Sequence, residues 1–431
     1  AAHKADGCAW RPREARRLRV LVVTTDCDGL KCEEKMGGVR IWGTNFGNGL
    51  KLLGHDVRFG RCRHVAAATA DVVLQNAFLL KDGSNWLNGL QPTQVVVATK
   101  TNIGPTARLS PRVDLATVGS VSHAEAAAHF NDLGVDTAVV LRHVEVPLKY
   151  WTRAFGASPL SAADDATAVV PDTMYDLVPT WNATTRRPPP RHHLDEGPKP
   201  FAICYHGNFV HMGQDRPLLE ALVGLASERP IEVRTYGGAG AGDSELTRRG
   251  VRVASFPWHG VDALFRALAT ECDLGIVPQL EENSPSYYGT REELVIATAY
   301  KMSVNGGRAF VMAQVGLPFV ASIEFEAAEL IGGAGIPAEL VFATSQLRWR
   351  AAIARLLDDR DLAARLGAAL RSYAEANYRI DIEACVLEAR ILEARRNRTA
   401  TRAAASADEP PSSIPSSPRC RGNIHRTLAF S

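Results

Sequence analysis

The sequence predicts an α/β protein of two domains, each built on a mostly parallel, doubly wound sheet. Short Val-rich apolar runs, typical of strands buried on both faces, alternate with helical segments. A proline-dense stretch interrupts this alternation between about residues 151 and 200, and the alternation restarts at Phe201. The length of 431 residues lets each of two domains bury a core of its own.

The first domain is predicted to cover residues 18–150, after a basic arm at 1–17. Its first strand, at 18–24, is followed by a glycine-containing loop and a helix at 39–53, which Gly54 ends. The other strands of this domain are predicted at 55–59, 71–74, 94–98, 115–118 and 137–141, with a further helix at 122–133. Residues 151–200 follow as an insertion and interdomain linker.

The second domain is predicted to cover residues 201–396 and to repeat the design of the first. Its strands are predicted at 201–205, 231–236, 251–255, 273–277 and 318–321, and its helices at 217–227, 261–269 and 309–315. Three further helices close the domain, at 346–357, 361–378 and 380–395. Ala, Ser, Pro and Arg dominate residues 397–431, which predicts a disordered tail.

Charge and composition exclude some classes of function. The net charge is +2, from 49 basic and 47 acidic residues, which argues against a dedicated nucleic-acid binder. The basic cluster at 390–402 is predicted to be solvated. No run of about 18 apolar residues occurs, so no transmembrane helix is predicted, and peripheral membrane contact stays open.

The eight cysteines are scattered and show no zinc-site spacing, so no metal site is predicted. Most of them are predicted to be buried free thiols in a reducing compartment, which makes the expected location cytoplasmic. The glycosylation sequons at Asn182 and Asn397 would matter only in a secreted protein.

Three stretches carry a resemblance to a known family. They are Gly37-Gly38-Val39-Arg40 with the helix that ends at Gly54-His55, the strand at 273–278, and residues 305–322, in which a helix leads to Gly316-Leu317-Pro318 and a buried strand. Over about residues 19–396 the chain resembles the GT-B glycosyltransferases, family 4 in particular. The resemblance implies two Rossmann-like lobes facing a cleft, with a sugar transferred from a nucleotide-sugar donor.

One family feature is absent. Family 4 enzymes usually carry two glutamates eight positions apart, the second of them five positions before the Gly of Gly-x-Pro. Here these positions are Ser303 and Val311. Either the chain is a divergent branch that uses other contacts, or the donor chemistry has been lost.

The resemblance also implies the ligands. A nucleotide sugar is the co-substrate, no cofactor is permanently bound, and no metal is obligatory. The acceptor is a carbohydrate or a lipid- or protein-linked group. Cationic side chains and helix N-termini must then neutralise the leaving diphosphate.

Lys301 and Arg308 are the first candidates for that charge, because they flank Asn305, Gly306 and Gly307 just before a helix. A solvated loop is the alternative. Further donor-site candidates lie at predicted strand ends or in glycine loops: Gly37, Gly38, Arg40, His206, Gly207, Asn208 and Gly238.

The Gly238 loop, at 237–242, is a weak dinucleotide fingerprint, because no periodic helix is predicted directly after it. Glu324 and Glu329 follow the strand at 318–321, where the family often places a ribose contact. An acidic helix N-terminus explains them equally well. His123 is the candidate catalytic residue toward the acceptor.

Two other readings keep the same fold. One is a catalytically inert protein that binds a nucleotide, a glycan or a partner, and the other is a sugar-nucleotide epimerase. An NAD oxidoreductase agrees poorly with the sequence, because residues 24–28 replace the Gly-x-Gly turn expected after the first strand.

Overall fold

The computed structural model of the chain describes residues 17–24, 40–61, 69–76, 90–99, 110–119, 138–141, 200–207, 212–213, 215–237, 241–278 and 307–405. The strands in these ranges form two separate sheets, β1–β6 and β7–β11, in which every pairing is parallel. This arrangement confirms the predicted α/β class with two sheets.

The first sheet has the strand order β2-β1-β3-β4-β5-β6. Its strands are β1 (Arg19–Thr24), β2 (Asp56–Arg61), β3 (Val72–Asn76), β4 (Val95–Thr99), β5 (Leu115–Val118) and β6 (Ala138–Val140). A π-helical segment at Arg40–Asn45 continues into helix α1 (Phe46–Leu52). Gly54 then takes a φ of 92°, which glycine adopts without strain, and turns the chain into β2 as the sequence predicts.

The second sheet has the order β11-β10-β7-β8-β9. Its strands are β7 (Phe201–His206), β8 (Ile231–Tyr236), β9 (Arg252–Phe256), β10 (Leu274–Val277) and β11 (Phe319–Ala321). The connecting helices are α2 (Arg216–Glu228), α3 (Ala241–Arg248), α4 (Val261–Thr270), α5 (Gly307–Val315) and α6 (Phe325–Gly333). Helices α7 (Gln346–Asp358), α8 (Arg360–Asn377) and α9 (Ile380–Ala405) follow, after a 3₁₀ turn at Ala338–Leu340.

Helix α3 corrects the expectation that no helix directly follows the glycine loop at 237–242. Its first turn carries Asp243, which is buried and accepts hydrogen bonds from Thr235 at 3.0 Å and from Ser255 at 2.8 Å. These contacts with β8 and β9 fix a short helix whose own residues show no clear apolar period. Tertiary contacts therefore stabilise it more than local propensity does.

Helix α9 returns to the first domain. It packs on α1, β4 and β5, and a Cβ on Gly49 of α1 would lie only 2.8 Å from Cβ of Ala384. His55 is buried between them: its Nδ1 accepts from the Leu18 N–H at 3.2 Å, so its Nε2–H donates to Glu388 at 2.7 Å. The Gly-His that follows α1 thus attaches the last helix to the first sheet.

The end of α9 departs from two expectations. The helix continues to Ala405, past the predicted start of the tail at 397. The basic cluster at 390–402 is not simply solvated either, because Arg395 pairs with Asp71 at 3.1 Å and Arg398 pairs with Asp114. Both aspartates lie at the amino ends of first-sheet strands, so these ion pairs hold the helix in register over the sheet edge.

The cysteine prediction is wrong for the cysteines among the described residues. Cys204 of β7 and Cys272, just before β10, form a disulfide with their Cα atoms 5.8 Å apart, and Cys385 is disulfide-bonded as well. The strands β7 and β10 are neighbours in the sheet, which brings two cysteines distant in sequence within bonding distance. The argument for a cytoplasmic location relied on free thiols and loses that support.

We expect His55→Ala to destabilise the first domain by about 3–5 kcal/mol, because it leaves the Glu388 carboxylate buried without its donor. Urea denaturation would measure the loss. Glu393→Gln on the same helix is the matched control, because its pair with Arg390 is solvent-exposed and is worth about 0–1 kcal/mol. Equal losses in the two variants would show that the buried pair does not hold α9.

Candidate functional site

The carboxyl edge of the second sheet brings together the ends of β7, β10 and β11. The chain proceeds from β7 to β8 on one side, whereas β10 lies on the other side, so a topological switch point falls between β7 and β10. Open α/β sheets bind ligands at the carboxyl ends of strands beside such a point. The N-termini of α2, α5 and α6 lie after or beside these strand ends, and their free N–H groups favour anions.

Arg308, the second residue of α5, supplies positive charge at this edge. Its side chain is 8% exposed, Nη1 donates to the Tyr205 hydroxyl at 3.0 Å, and the guanidinium carbon lies 5.6 Å from the centre of that ring. Its Nη2 is buried and has no hydrogen-bond partner among the described residues. A buried N–H group without an acceptor is costly, so a ligand that offers an oxygen here would be stabilised.

Two residues at the end of β7 contact Arg308 and restrict its position. The His206 Nε2–H donates to the Arg308 carbonyl at 3.3 Å, and Gly207 has a φ of 112°. A Cβ on Gly207 would lie 3.3 Å from the Arg308 Cδ, so glycine meets both a backbone and a packing requirement there. Burial raises the pKa of Tyr205, while the neighbouring Arg308 acts in the opposite direction.

Glu324 is the N-cap of α6, and its Oε1 accepts from the Ala327 N–H at 3.1 Å. The residue is fully buried, and its Oε2 has no hydrogen-bond partner within the described ranges. Burial raises the pKa of Glu324 to about 8, although the positive charge of Arg308 and the Ala327 N–H act in the opposite direction. The carboxyl group is therefore mostly neutral at about pH 7.

Glu326 lies in the first turn of α6 and faces the other sheet. A Cβ on Gly119, directly after β5, would collide with the Glu326 carboxyl group, so the carboxyl edges of the two sheets meet here. Glu326 is 1% exposed, and its Oε2 also lacks a partner in the described part of the chain. Burial, reinforced by Glu324 and Glu329, raises the pKa of Glu326 well above its usual range.

Asp215 ties the start of α2 to the same edge. Its Oδ1 accepts from the Leu218 N–H at 3.0 Å as the helix cap, and its Oδ2 accepts from the Ser322 hydroxyl at 3.2 Å. Ser322 follows β11 directly and precedes Glu324 by two residues. The loop that carries Glu324 is thereby attached to the loop that follows β7.

Among the candidates from the sequence, the structure brings His206, Gly207, Gly307, Arg308 and Glu324 to this edge. Glu329 lies one turn further along α6 and is partly exposed. Arg40 begins the π-helical segment of the first domain. The remaining candidates fall outside the described residues: Gly37, Gly38, His123, Asn208, Gly238, Lys301 and Asn305.

The sequence candidates did not include Tyr205 and Glu326. Tyr205 occupies the position before His206 in a buried strand, where an aromatic residue predicts core packing and gives no sign of a guanidinium contact. Glu326 is one of three glutamates close together after β11, and the family resemblance points to Glu324 and Glu329 instead. Its contact with Gly119 is between domains, which no local pattern in the sequence encodes.

None of the helices in the described residues combines the length and apolar character needed to cross a membrane. In the same ranges, no three or more His, Cys, Asp or Glu side chains are grouped so as to hold a metal ion.

Solved structures with the same architecture extend over nearly the whole chain. A glycosyltransferase from Rickettsia africae aligns with a TM-score of 0.51 and 13% identity, over 89% of this chain and 99% of that one. The chain has the GT-B fold. WaaG, a GT-B glycosyltransferase involved in lipopolysaccharide biosynthesis, aligns with a TM-score of 0.50 and 11% identity, over 87% and 98% of the two chains. At these identities the likeness shows the fold alone.

No protein-family profile matches the chain, and no curated protein sequence matches it. Membership of family 4 within the GT-B fold therefore stays a prediction. Val311, at the position of the second family glutamate, is buried and belongs to the hydrophobic core, on which α5 packs. A glutamate at that position would be buried in an apolar environment in this chain, and Ser303 lies outside the described residues.

We expect Gly119→Ala to destabilise the protein by about 1–3 kcal/mol, because the added methyl group collides with the Glu326 carboxyl group. Thermal unfolding would measure the effect. The double variant Gly119→Ala, Glu326→Ala should recover most of the loss, since it removes the colliding atoms. Gly332→Ala, where a Cβ meets open space on α6, is the matched control. A full loss in the double variant would contradict the contact.

We expect the pH dependence of stability to reflect Glu324. Unfolded Glu loses its proton above about pH 4.5, whereas folded Glu324 keeps it to about pH 8, so the unfolding free energy falls across this window by about 1.4 kcal/mol per pH unit. Glu324→Gln should match the wild type at about pH 5 and be more stable by roughly 3–5 kcal/mol at about pH 8. Urea denaturation at the two pH values is the measurement.

The exposed Glu339→Gln controls for the removal of one negative charge. Its stability should follow that of the wild type at both pH values. Parallel pH curves for the wild type and Glu324→Gln would show that Glu324 titrates normally.

Proposed function

We propose that the chain is a nucleotide-sugar-dependent glycosyltransferase whose donor binds at the carboxyl edge of the second sheet. The observation that carries this proposal is the buried Nη2 of Arg308, beside the N-terminus of α5, which has no hydrogen-bond partner in the part of the chain that the structure describes. Solved structures with the same fold include glycosyltransferases, and cations and N–H groups such as these could neutralise the charge of a leaving diphosphate.

Arg308 would act on the leaving diphosphate. As the bond between the anomeric carbon and the phosphate oxygen breaks, negative charge grows on that oxygen, and a guanidinium fixed before the reaction stabilises it without reorganising. The contact with Tyr205 and the His206–carbonyl hydrogen bond restrict the motion of Arg308, so the charge is already in position when the donor binds. Lys301 is proposed as a second cation.

The acceptor would be held by the first domain. The carboxyl edge of its sheet faces the carboxyl edge of the second sheet, where the donor is proposed to bind, as the contact between Gly119 and Glu326 indicates. The acceptor is a carbohydrate or a lipid- or protein-linked group, and His123 is proposed to face it. The proposal covers neither the sugar nor the stereochemical course.

The missing glutamate pair still supports the alternative of a catalytically inert binding protein. This alternative predicts nucleotide or glycan binding without turnover. Incubation with radiolabelled nucleotide sugars separates the two readings, because slow hydrolysis of the donor reveals transferase chemistry even without the acceptor. An epimerase would instead convert the donor sugar while leaving it attached to its nucleotide.

We expect one of UDP, GDP, ADP, CDP and dTDP to raise the thermal unfolding temperature of the wild type. A ligand at a hundred times its dissociation constant stabilises the folded state by about 2.7 kcal/mol. Arg308→Lys should abolish most of the shift, because an ammonium cannot reproduce the fixed guanidinium geometry. Lys301→Ala should weaken binding as well.

Arg360→Lys is the matched control. Arg360 is also a partly buried arginine over an aromatic ring, 4.5 Å from the centre of Phe201, and it pairs with Asp273 at 3.4 Å. It belongs to the amino edge of the same sheet, so its loss should leave the nucleotide shift intact. No shift with any nucleotide, or equal shifts in both lysine variants, would contradict the proposed site.

A further inference from the structure

Two buried polar atoms at the carboxyl edge of the second sheet have no hydrogen-bond partner among the described residues, although their side chains are neighbours. One is Nη2 of Arg308, a donor, and the other is Oε2 of Glu324. The Arg308 charge acts on the Glu324 carboxyl group, yet no hydrogen bond or ion pair joins these two atoms in the described structure. Buried groups of this kind normally satisfy each other.

The N-cap fixes the orientation of Glu324. Its Oε1 accepts from the Ala327 N–H, which leaves Oε2 as the oxygen that could bind another group. Nη1 of Arg308 donates to the Tyr205 hydroxyl, which leaves Nη2 as the nitrogen that could donate to another group. A third group placed between the side chains would satisfy both atoms.

We propose that Glu324 binds the donor diphosphate together with Arg308, acting as a neutral carboxylic acid whose Oε2–H donates to a phosphate oxygen. This inference rests on the proposed function, because it assumes a diphosphate at this edge. It differs from the ribose contact that the family resemblance implies, since there the glutamate accepts hydrogen bonds from hydroxyl groups as a carboxylate.

The surroundings of Glu324 favour the neutral form. Arg308 on α5 is a positive charge that acts on Glu324, and on α6 both Glu324 and Glu329 act on the neighbouring Glu326 and raise its pKa. Two titratable groups of β7, Tyr205 and His206, contact Arg308. Asp215, the N-cap of α2, is hydrogen-bonded to Ser322.

Helix α8 packs on α6, where Tyr373 lies against Gly333. The same helix packs on α5, and its Arg371 lies against Gly316, which follows α5. Burial raises the pKa of Glu324 to about 8. A carboxylate would repel a diphosphate at this position, whereas the acid adds a second donor beside Arg308.

The rival ligand group is a sugar or ribose hydroxyl, which can accept from Nη2 and donate to an ionised Glu324. The two cases differ in the sign of their pH dependence. Binding that needs the neutral acid weakens as pH rises through about 8, whereas binding to the carboxylate strengthens. Phosphate also loses protons near neutral pH, so the comparison must cancel ionisation of the ligand.

The test is isothermal titration calorimetry with inorganic pyrophosphate and with the nucleoside diphosphate that gives the largest thermal shift, at about pH 7 and about pH 9. Glu324→Gln keeps the cap acceptor and always offers an amide N–H donor. The ratio of wild-type to Glu324→Gln dissociation constants should rise about tenfold between these pH values. Glu339→Gln, an exposed glutamate, should follow the wild type.

A second measurement needs only the wild type. Titration at about pH 9 in two buffers of different ionisation enthalpy should show uptake of about one proton per bound diphosphate, because the free acid is then mostly ionised. Glu324→Gln should take up fewer protons.

A constant ratio, a falling ratio or absence of proton uptake would overturn the role of Glu324, as would loss of binding in a folded Glu324→Gln at about pH 7. If Arg308→Lys still abolishes wild-type binding, the proposed donor site survives that result. No binding of any diphosphate by the wild type would overturn both proposals.

Discussion

The buried guanidinium of Arg308 links the elements at the carboxyl edge of the second sheet. Its side chain contacts Tyr205 of β7, its carbonyl accepts from His206, and its charge opposes the burial effect on Glu324 at the start of α6. A buried cation is tolerated only where nearby groups stabilise it, so the glycine at 207 and the N-cap at 324 are parts of one arrangement. The two atoms that have no partner within the described ranges, Nη2 of Arg308 and Oε2 of Glu324, are the ones a ligand can use.

The two sheets meet at their carboxyl edges, where strand ends and helix N-termini concentrate N–H groups and favour anions. The Gly119–Glu326 contact places an acid of the second domain directly against the end of β5. A donor held by one sheet and an acceptor held by the other would then react near this contact. In such an architecture the positions of loops and helix ends, rather than the cores, decide the chemistry.

Much of the fold could be predicted from the sequence because its strands are short, Val-rich and fully buried. β5 and β8 have the predicted bounds, and most other elements differ from them by one or two residues. Arg308, His206 and Glu324 could be nominated because they follow strands or begin helices. The Cys204–Cys272 disulfide, helix α3, the return of α9 and the Glu326–Gly119 contact could not, since each depends on partners distant in sequence.

The return of α9 has a consequence for the order of folding. The first sheet leaves the ribosome early, yet the side of α1 that packs on α9 and Nε2 of the buried His55 obtain their partners only when α9 is synthesised, after the entire second sheet. Until then the nascent first domain exposes a surface that Ile380 and Ala384 later help to bury. Completion of the first domain is therefore coupled to translation of the second, and the first core closes only once the chain has been synthesised through α9.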